Sequence, residues 1–325
     1  MQNKDTVPGA TQAALSRERV GLVVYGTDAA AAVAKIVKAE AAGMRQIWMT
    51  QGPLTPDTLT IFAAVAVQTT SVRLGTAIVP TYPRHPLVLA LQALALDDLA
   101  PGRLRLGIGP SHRTTIEGTY GIPMTAPLEH LREYMTVLRA ALWEGKVDHQ
   151  GRFYTLKTRL PRTPRTPILI SALREGAFRL AGEVADGAIP WMCPVPYLLE
   201  KAIPALQAGA AQSGRPVPPL LGHVPVALGR DRPVVLAAAR RQIGGYGRVP
   251  FYANMFADAG FPVSPDGVMS DALIDSLVVS GDEAAIASRL AELLAAGLDE
   301  VLVMQVLVAD PEGEQARLMR LLGQR

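Results

Sequence analysis

From Val20 onward, short apolar runs alternate with longer stretches in which Ala and Leu recur at helical spacing. The runs VGLVV (20–24), QIWM (46–49), VRLGTAIV (72–79), RLRLGIG (103–109), PILIS (167–171), DGAIP (186–190), HVPVAL (223–228) and EVLVMQV (300–306) predict eight strands. Apolar runs this continuous suit strands covered on both faces. With helices between them, they predict parallel strands joined by crossover helices.

Several helix ends are legible. Asp28 and Asp282 are placed to cap helices, Gly297 to end the second of these, and Thr55 offers a hydroxyl just before Pro56 at a first helical position. Pro86 starts the helix after the third strand, which makes Arg84 and His85 residues of a held turn. Eight strand and helix pairs between Val20 and Arg325 favour a closed (β/α)8 barrel. An open doubly wound sheet loses ground because VVYGTDAAAA carries one glycine and no G-x-G-x-x-G. Two segments exceed a minimal barrel. Residues 145–166 read as a hairpin and loop, and residues 246–280 as an insertion rich in Gly, Pro and aromatic side chains. Residues 1–19 read as a loose tail before a single domain spanning 20–325.

Composition supports a folded chain, with 49% hydrophobic and 19% charged residues in 325. The 32 Lys and Arg against 29 Asp and Glu leave a net charge of +3, spread along the chain, which argues against a nucleic-acid partner. Cys193 is the only cysteine, so no intrachain disulfide can form, as expected of a reducing cytoplasm. The opening MQNKDTVPGATQAALSRER lacks the apolar core of a signal peptide, and no later run has the length of a membrane span. A soluble, cytoplasmic protein is expected.

In such a barrel, chemistry collects where strands end. Thr50 and Gln51 follow the second strand, PTYPRHP the third, PSHR the fourth and ALRE the fifth. His112 sits just past a strand whose alternating glycines, Gly107 and Gly109, leave room for a flat ligand against the backbone. It is the candidate proton donor or acceptor, since histidine titrates near neutrality. Trp48, Trp191 and Tyr82 fit a ring-lined pocket or the core, and Met192 and Cys193 fit the core. GLVVYG lacks the paired histidines of a metal-dependent barrel hydrolase, and no Gly-x-Ser-x-Gly occurs. An organic cofactor becomes the better expectation, with no metal.

RLGTAIVPTYPRHP, GRLRLGIGPSHR, EGTYGIP with PLEHLREYM, and LAGEVADG stand in an order that resembles the luciferase-like flavin and deazaflavin oxidoreductases, in particular their coenzyme F420-dependent branch. The resemblance runs from Val20 to the last strand. It implies a (β/α)8 barrel with the cofactor ring across the strand ends and a non-prolyl cis peptide, here Ala77–Ile78, beneath it. It also implies ring or side-chain contacts from Pro110, Ser111 and His112, a phosphate facing Ser171, Ala172, Leu173 and Arg174, and Trp191 close by. Thr50 and Gln51 would bond the ring or substrate. Tyr246, Phe251, Tyr252 and Met255 would line the substrate pocket, or else pack the insertion onto the barrel.

Three departures matter. Thr50-Gln51 replaces an Asp-His pair of some deazaflavin members, His112 stands where sugar-phosphate dehydrogenases carry a catalytic Glu, and Leu173-Arg174 replaces common glycines. The expectation is an oxidoreductase that moves a hydride between coenzyme F420 and a small organic substrate with a C=C, C=N or C=O bond. An FMN-dependent monooxygenase and a non-catalytic flavin-binding barrel remain open alternatives. Family members are commonly homodimers, which is carried over as an expectation.

Overall fold

The computed structural model describes residues 15–324. Most of the expected tail, residues 1–14, lies outside them. At its inner end Arg19 is fixed, donating to the carbonyls of Asp299 (2.7 Å) and Leu298 (2.7 Å) under the barrel.

The eight expected strands form. They are β1 (Val20–Val23), β2 (Gln46–Met49), β3 (Arg73–Thr76), β4 (Leu104–Gly109), β5 (Ile168–Ser171), β6 (Ala188–Ile189), β7 (Leu221–Leu228) and β8 (Glu300–Gln305). Each pairs in parallel with its chain neighbour from β1 to β6, and β8 pairs with both β1 and β7. A parallel bridge between Ala188 and Leu220 joins β6 to the start of β7 and completes the ring. The third run is split. After β3 the Ala77–Ile78 peptide is cis, and Val79–Pro80 resumes pairing beside Ile108 and Gly109 of β4.

Helices α1 (Ala29–Ala41), α2 (Thr58–Ala66), α3 (Pro86–Leu99), α4 (Arg113–Gly118), α5 (Pro127–Arg139) and α6 (Glu175–Val184) follow the first five strands. Asp28 caps α1 through the Ala31 amide. His85 caps α3, its Nδ1 accepting from the Leu87 amide at 3.1 Å. For α2 the expected cap is corrected. The helix begins later, at Thr58, and Asp57 caps it through the Thr60 amide (2.9 Å), while the Thr55 hydroxyl accepts from Gly52 (3.0 Å). Asp282 caps the helix Glu283–Ala295 as expected, with Gly297 just beyond its end at φ +130°.

Residues 145–166 hold the expected hairpin, Lys146–Gln150 against Thr155–Arg159. Glu133 of α5 docks its tip, accepting the amides of Arg152, Phe153 and Tyr154 at 2.7–3.1 Å. The second insertion folds into helices Pro250–Asp258 and Asp271–Leu277 and a short strand, Val279–Gly281, beside the end of β7.

Inside the barrel, Trp48 is completely buried. Its indole N–H donates to Gln46 Oε1 (3.2 Å), which also receives Arg105 (3.0 Å), and Arg105 forks onto Glu300 at 2.7 and 2.8 Å. Pairing both partners of a buried charge offsets much of its desolvation cost. Gly75 is required here, since a Cβ on it would stand 2.2 Å from the Trp48 ring. This layer closes the barrel below the strand ends, so any ligand must sit above it. Among the described residues no helix is long and apolar enough to cross a membrane.

Candidate active site

A cavity of about 970 Å³ opens at the C-terminal ends of the strands. It is lined by Thr50 and Gln51 after β2, Ala77 and Ile78 after β3, and Pro110, Ser111 and His112 after β4. Ser171, Ala172, Leu173 and Arg174 close it after β5, Trp191 after β6, and Tyr246, Phe251 and Tyr252 from the second insertion. The size lies at the upper end of the range for small-molecule and cofactor sites. Of the residues expected to bind cofactor or substrate, Met255 is not in the wall. It is fully buried beside Phe256, one helical turn past Tyr252, where the insertion has already packed into the core.

Thr50 and Gln51 line the cavity, but their polar atoms are largely engaged within the protein. The Thr50 hydroxyl donates to the Ala77 carbonyl (2.9 Å). Gln51 accepts the Thr58 amide (2.7 Å) and donates to the Gly52 carbonyl (2.9 Å), which ties the end of β2 to the start of α2. These residues therefore shape the wall beside the cis peptide rather than offering free donors. The glycines of β4 are corrected in the same sense. A Cβ on Gly107 would stand 2.0 Å from the Thr76 carbonyl, and one on Gly109 would stand 2.1 Å from Ser171 Oγ. They admit neighbouring strands and side chains, not a ligand.

His112 is presented by a strained turn. Ser111 adopts φ +63°, a left-handed conformation uncommon for a residue with a Cβ. His112 then begins α4 without using its side chain as a cap, which leaves the imidazole to the cavity. Three rings of the second insertion surround it edge-on, with centroids at 6.1 Å (Tyr246), 5.5 Å (Phe251) and 5.6 Å (Tyr252). The Tyr252 hydroxyl stands 3.4 Å from Nε2. Burial lowers the His112 pKa, so the neutral ring is favoured at neutral pH.

At the β5 end, Arg174 occupies the N-cap of α6 and no side chain caps the first turn. Uncapped amides and the helix dipole suit an anion. The Arg174 guanidinium is engaged by Asp258 of the second insertion at 2.9 Å, across the cavity wall. Arg113 is likewise paired, with Glu117.

Trp48 proves to be core, and Tyr82 stacks on His130 at 3.9 Å outside the cavity. The wall includes His223, Tyr197 and Asp258, which sequence reasoning did not single out. His223 had a signal, a lone histidine within the apolar run of β7. Asp258 had none, because its role depends on how the insertion folds over the barrel.

Residues 11–300 match the sequence profile of the luciferase-like monooxygenases. An uncharacterised protein of Mycobacterium tuberculosis is 33% identical over 213 residues, 60% of this chain and 63% of its own length. An F420-dependent glucose-6-phosphate dehydrogenase of Microbacterium testaceum is 35% identical over 179 residues, covering 52% of this chain and 53% of that protein. The chain thus matches less than two thirds of the length of these relatives. Among solved structures, the coenzyme F420-dependent tetrahydromethanopterin reductase of Methanopyrus kandleri superposes with a TM-score of 0.75 at 21% identity, covering 94% of this chain and 97% of the other. The oxygenating constituent of 3,6-diketocamphane monooxygenase from Pseudomonas putida, in complex with FMN, gives 0.70 at 16% identity, covering 94% and 95%.

Proposed function

Given that the chain belongs to the luciferase-like monooxygenase family, we propose that it is an oxidoreductase that uses coenzyme F420 to reduce or oxidise a small, uncharged organic substrate. The observation that carries this reading is the cavity itself. It joins an apolar shelf at Ala77 and Ile78, an uncapped helix start at Arg174 to Gly176 for a phosphate, and a neutral histidine between them. These residues fit a flat ring with an anionic tail. The F420-dependent relative from Microbacterium testaceum favours the deazaflavin over FMN.

When bound, the deazaflavin supplies or accepts the hydride. The chain's own residues do the rest. Ile78 and Ala77 would support the ring, and the amides at the start of α6, with Arg174, would hold the phosphate. His112 holds or gives a proton at Nε2, with the Tyr252 hydroxyl beside it, and Tyr246 and Phe251 keep water from that atom. Arg113, the other arginine of the wall, is already paired with Glu117, which supports an uncharged substrate over a sugar phosphate.

The test is turnover without oxygen. Protein mixed with reduced coenzyme F420 and a panel of small enones, imines and ketones is expected to restore the absorbance of the oxidised coenzyme. Oxygen uptake with reduced FMN, in the absence of that turnover, would instead identify a monooxygenase.

A further inference from the structure

Two side chains on the β6 and β7 side of the cavity carry polar atoms without partners, and these atoms are chemically complementary. Trp191 Nε1 is a donor only. His223 is nearly fully buried, and its Nδ1 lies 2.9 Å from the Pro190 carbonyl, which can only accept. Nδ1 therefore carries the proton and Nε2 offers a lone pair. Burial pushes the His223 pKa down to about 4, which keeps this neutral form at neutral pH. Both Trp191 Nε1 and His223 Nε2 are shielded from solvent and lack a hydrogen-bond partner among the described residues.

The two rings meet edge-on at 4.5 Å, and both residues line the main cavity. The Tyr246 hydroxyl lies near enough to the indole N–H for that donor to pull its pKa down against the larger effect of burial, but the pair does not reach hydrogen-bond geometry. A buried donor or acceptor left without a partner is destabilising, because its lost hydration is not replaced. Two of them side by side in a cavity wall are explained by a ligand that supplies both partners.

Their place in the barrel says which ligand. In an eight-strand ring β7 stands opposite β3, so His223 faces the Ala77–Ile78 shelf across the mouth. A ring resting on that shelf leaves the Trp191 and His223 side to the substrate. This step rests on the proposed function.

We propose that Trp191 Nε1–H and His223 Nε2 together recognise a neutral substrate group with an acceptor beside a donor, as in a lactam, an imide or an enolic ketone. The rest of that substrate is flat and apolar, since Tyr246, Phe251 and Tyr252 form the adjoining wall. A site that bonds an N–H or O–H rejects an analogue lacking it far more sharply than an apolar pocket rejects a change of size.

The experiment is calorimetric titration of the full-length protein with 2-quinolinone and with coumarin, which has the same shape but a ring oxygen in place of the N–H. The expected result is binding of the lactam at least about tenfold tighter than the lactone. In His223→Asn, which keeps a donor toward Pro190 but removes the Nε2 acceptor, that preference is expected to vanish. Trp191→Phe is expected to weaken both ligands. Equal affinity of the two ligands for the wild-type protein would overturn the proposal, and so would a preference that survives in His223→Asn. Water from the smaller cavity of about 240 Å³ that also borders His223 would then be its partner. Coenzyme F420 titration of the same samples separates the outcomes. Its failure would remove the proposed function while leaving the lactam preference measurable.

Discussion

His112 is the residue on which the chemistry turns, and it was legible because a histidine follows a strand end where little else in the chain titrates near neutrality. His112→Ala is expected to lower kcat by about 10²- to 10⁴-fold, the usual contribution of a general acid or base. Coenzyme affinity should change far less, which steady-state kinetics and a binding titration together would show. Thr50 and Gln51 line the cavity as their place after a strand end implies, but their bonds are not legible, since position along the chain does not reveal that Ala77 and Thr58 lie within reach. The same holds for Arg174, whose partner Asp258 is 84 residues away. The pair is half-exposed and screened, so its contribution is under about 1 kcal/mol. Asp258→Asn frees the guanidinium and is expected to tighten coenzyme binding by up to about fivefold at low salt, an effect that fades as ionic strength rises.

At the scale of elements, the alternation of apolar runs located the barrel strands because each is covered on both faces. It could not show where the third run breaks, since Ala77 and Ile78 are as apolar as their neighbours. The start of α2 was misplaced by two residues because Thr55 and Asp57 both offer caps, and contacts from Gln51 and Arg84 favour the second. The glycines of β4 illustrate the same limit. Their small size was noticed, but the Thr76 carbonyl that needs it belongs to another strand. Gly107→Ala would force a Cβ to 2.0 Å from that backbone oxygen. A loss of about 1–3 kcal/mol or more is expected, read as a lower urea midpoint. Glu133→Ala removes the acceptor of three amides at the hairpin tip and should make residues 151–154 sensitive to protease while the barrel stays folded.

For the whole molecule, buried histidines set the response to acid. His130 is held down to about 4 by burial, partly opposed by Glu133, and His223 to about 4 by burial. The unfolded chain takes up these protons near the ordinary value of 6.5, before the folded one does. Stability is therefore full above that pH and is lost as pH falls toward 4, by about 2 kcal/mol per histidine at pH 5. Urea unfolding at pH 7 and pH 5 would reveal it, and His130→Gln should reduce the difference. The barrel and its cavity were legible because strand parity and strand ends are written locally. The occupant is written in the way distant loops meet. The most direct measurement is an equilibrium titration of the purified protein with coenzyme F420, alongside FMN. Saturable binding of about one coenzyme per chain, weakened by Arg174→Ala, is the expected result. Absence of saturable coenzyme F420 binding, or saturation by FMN alone, would contradict it.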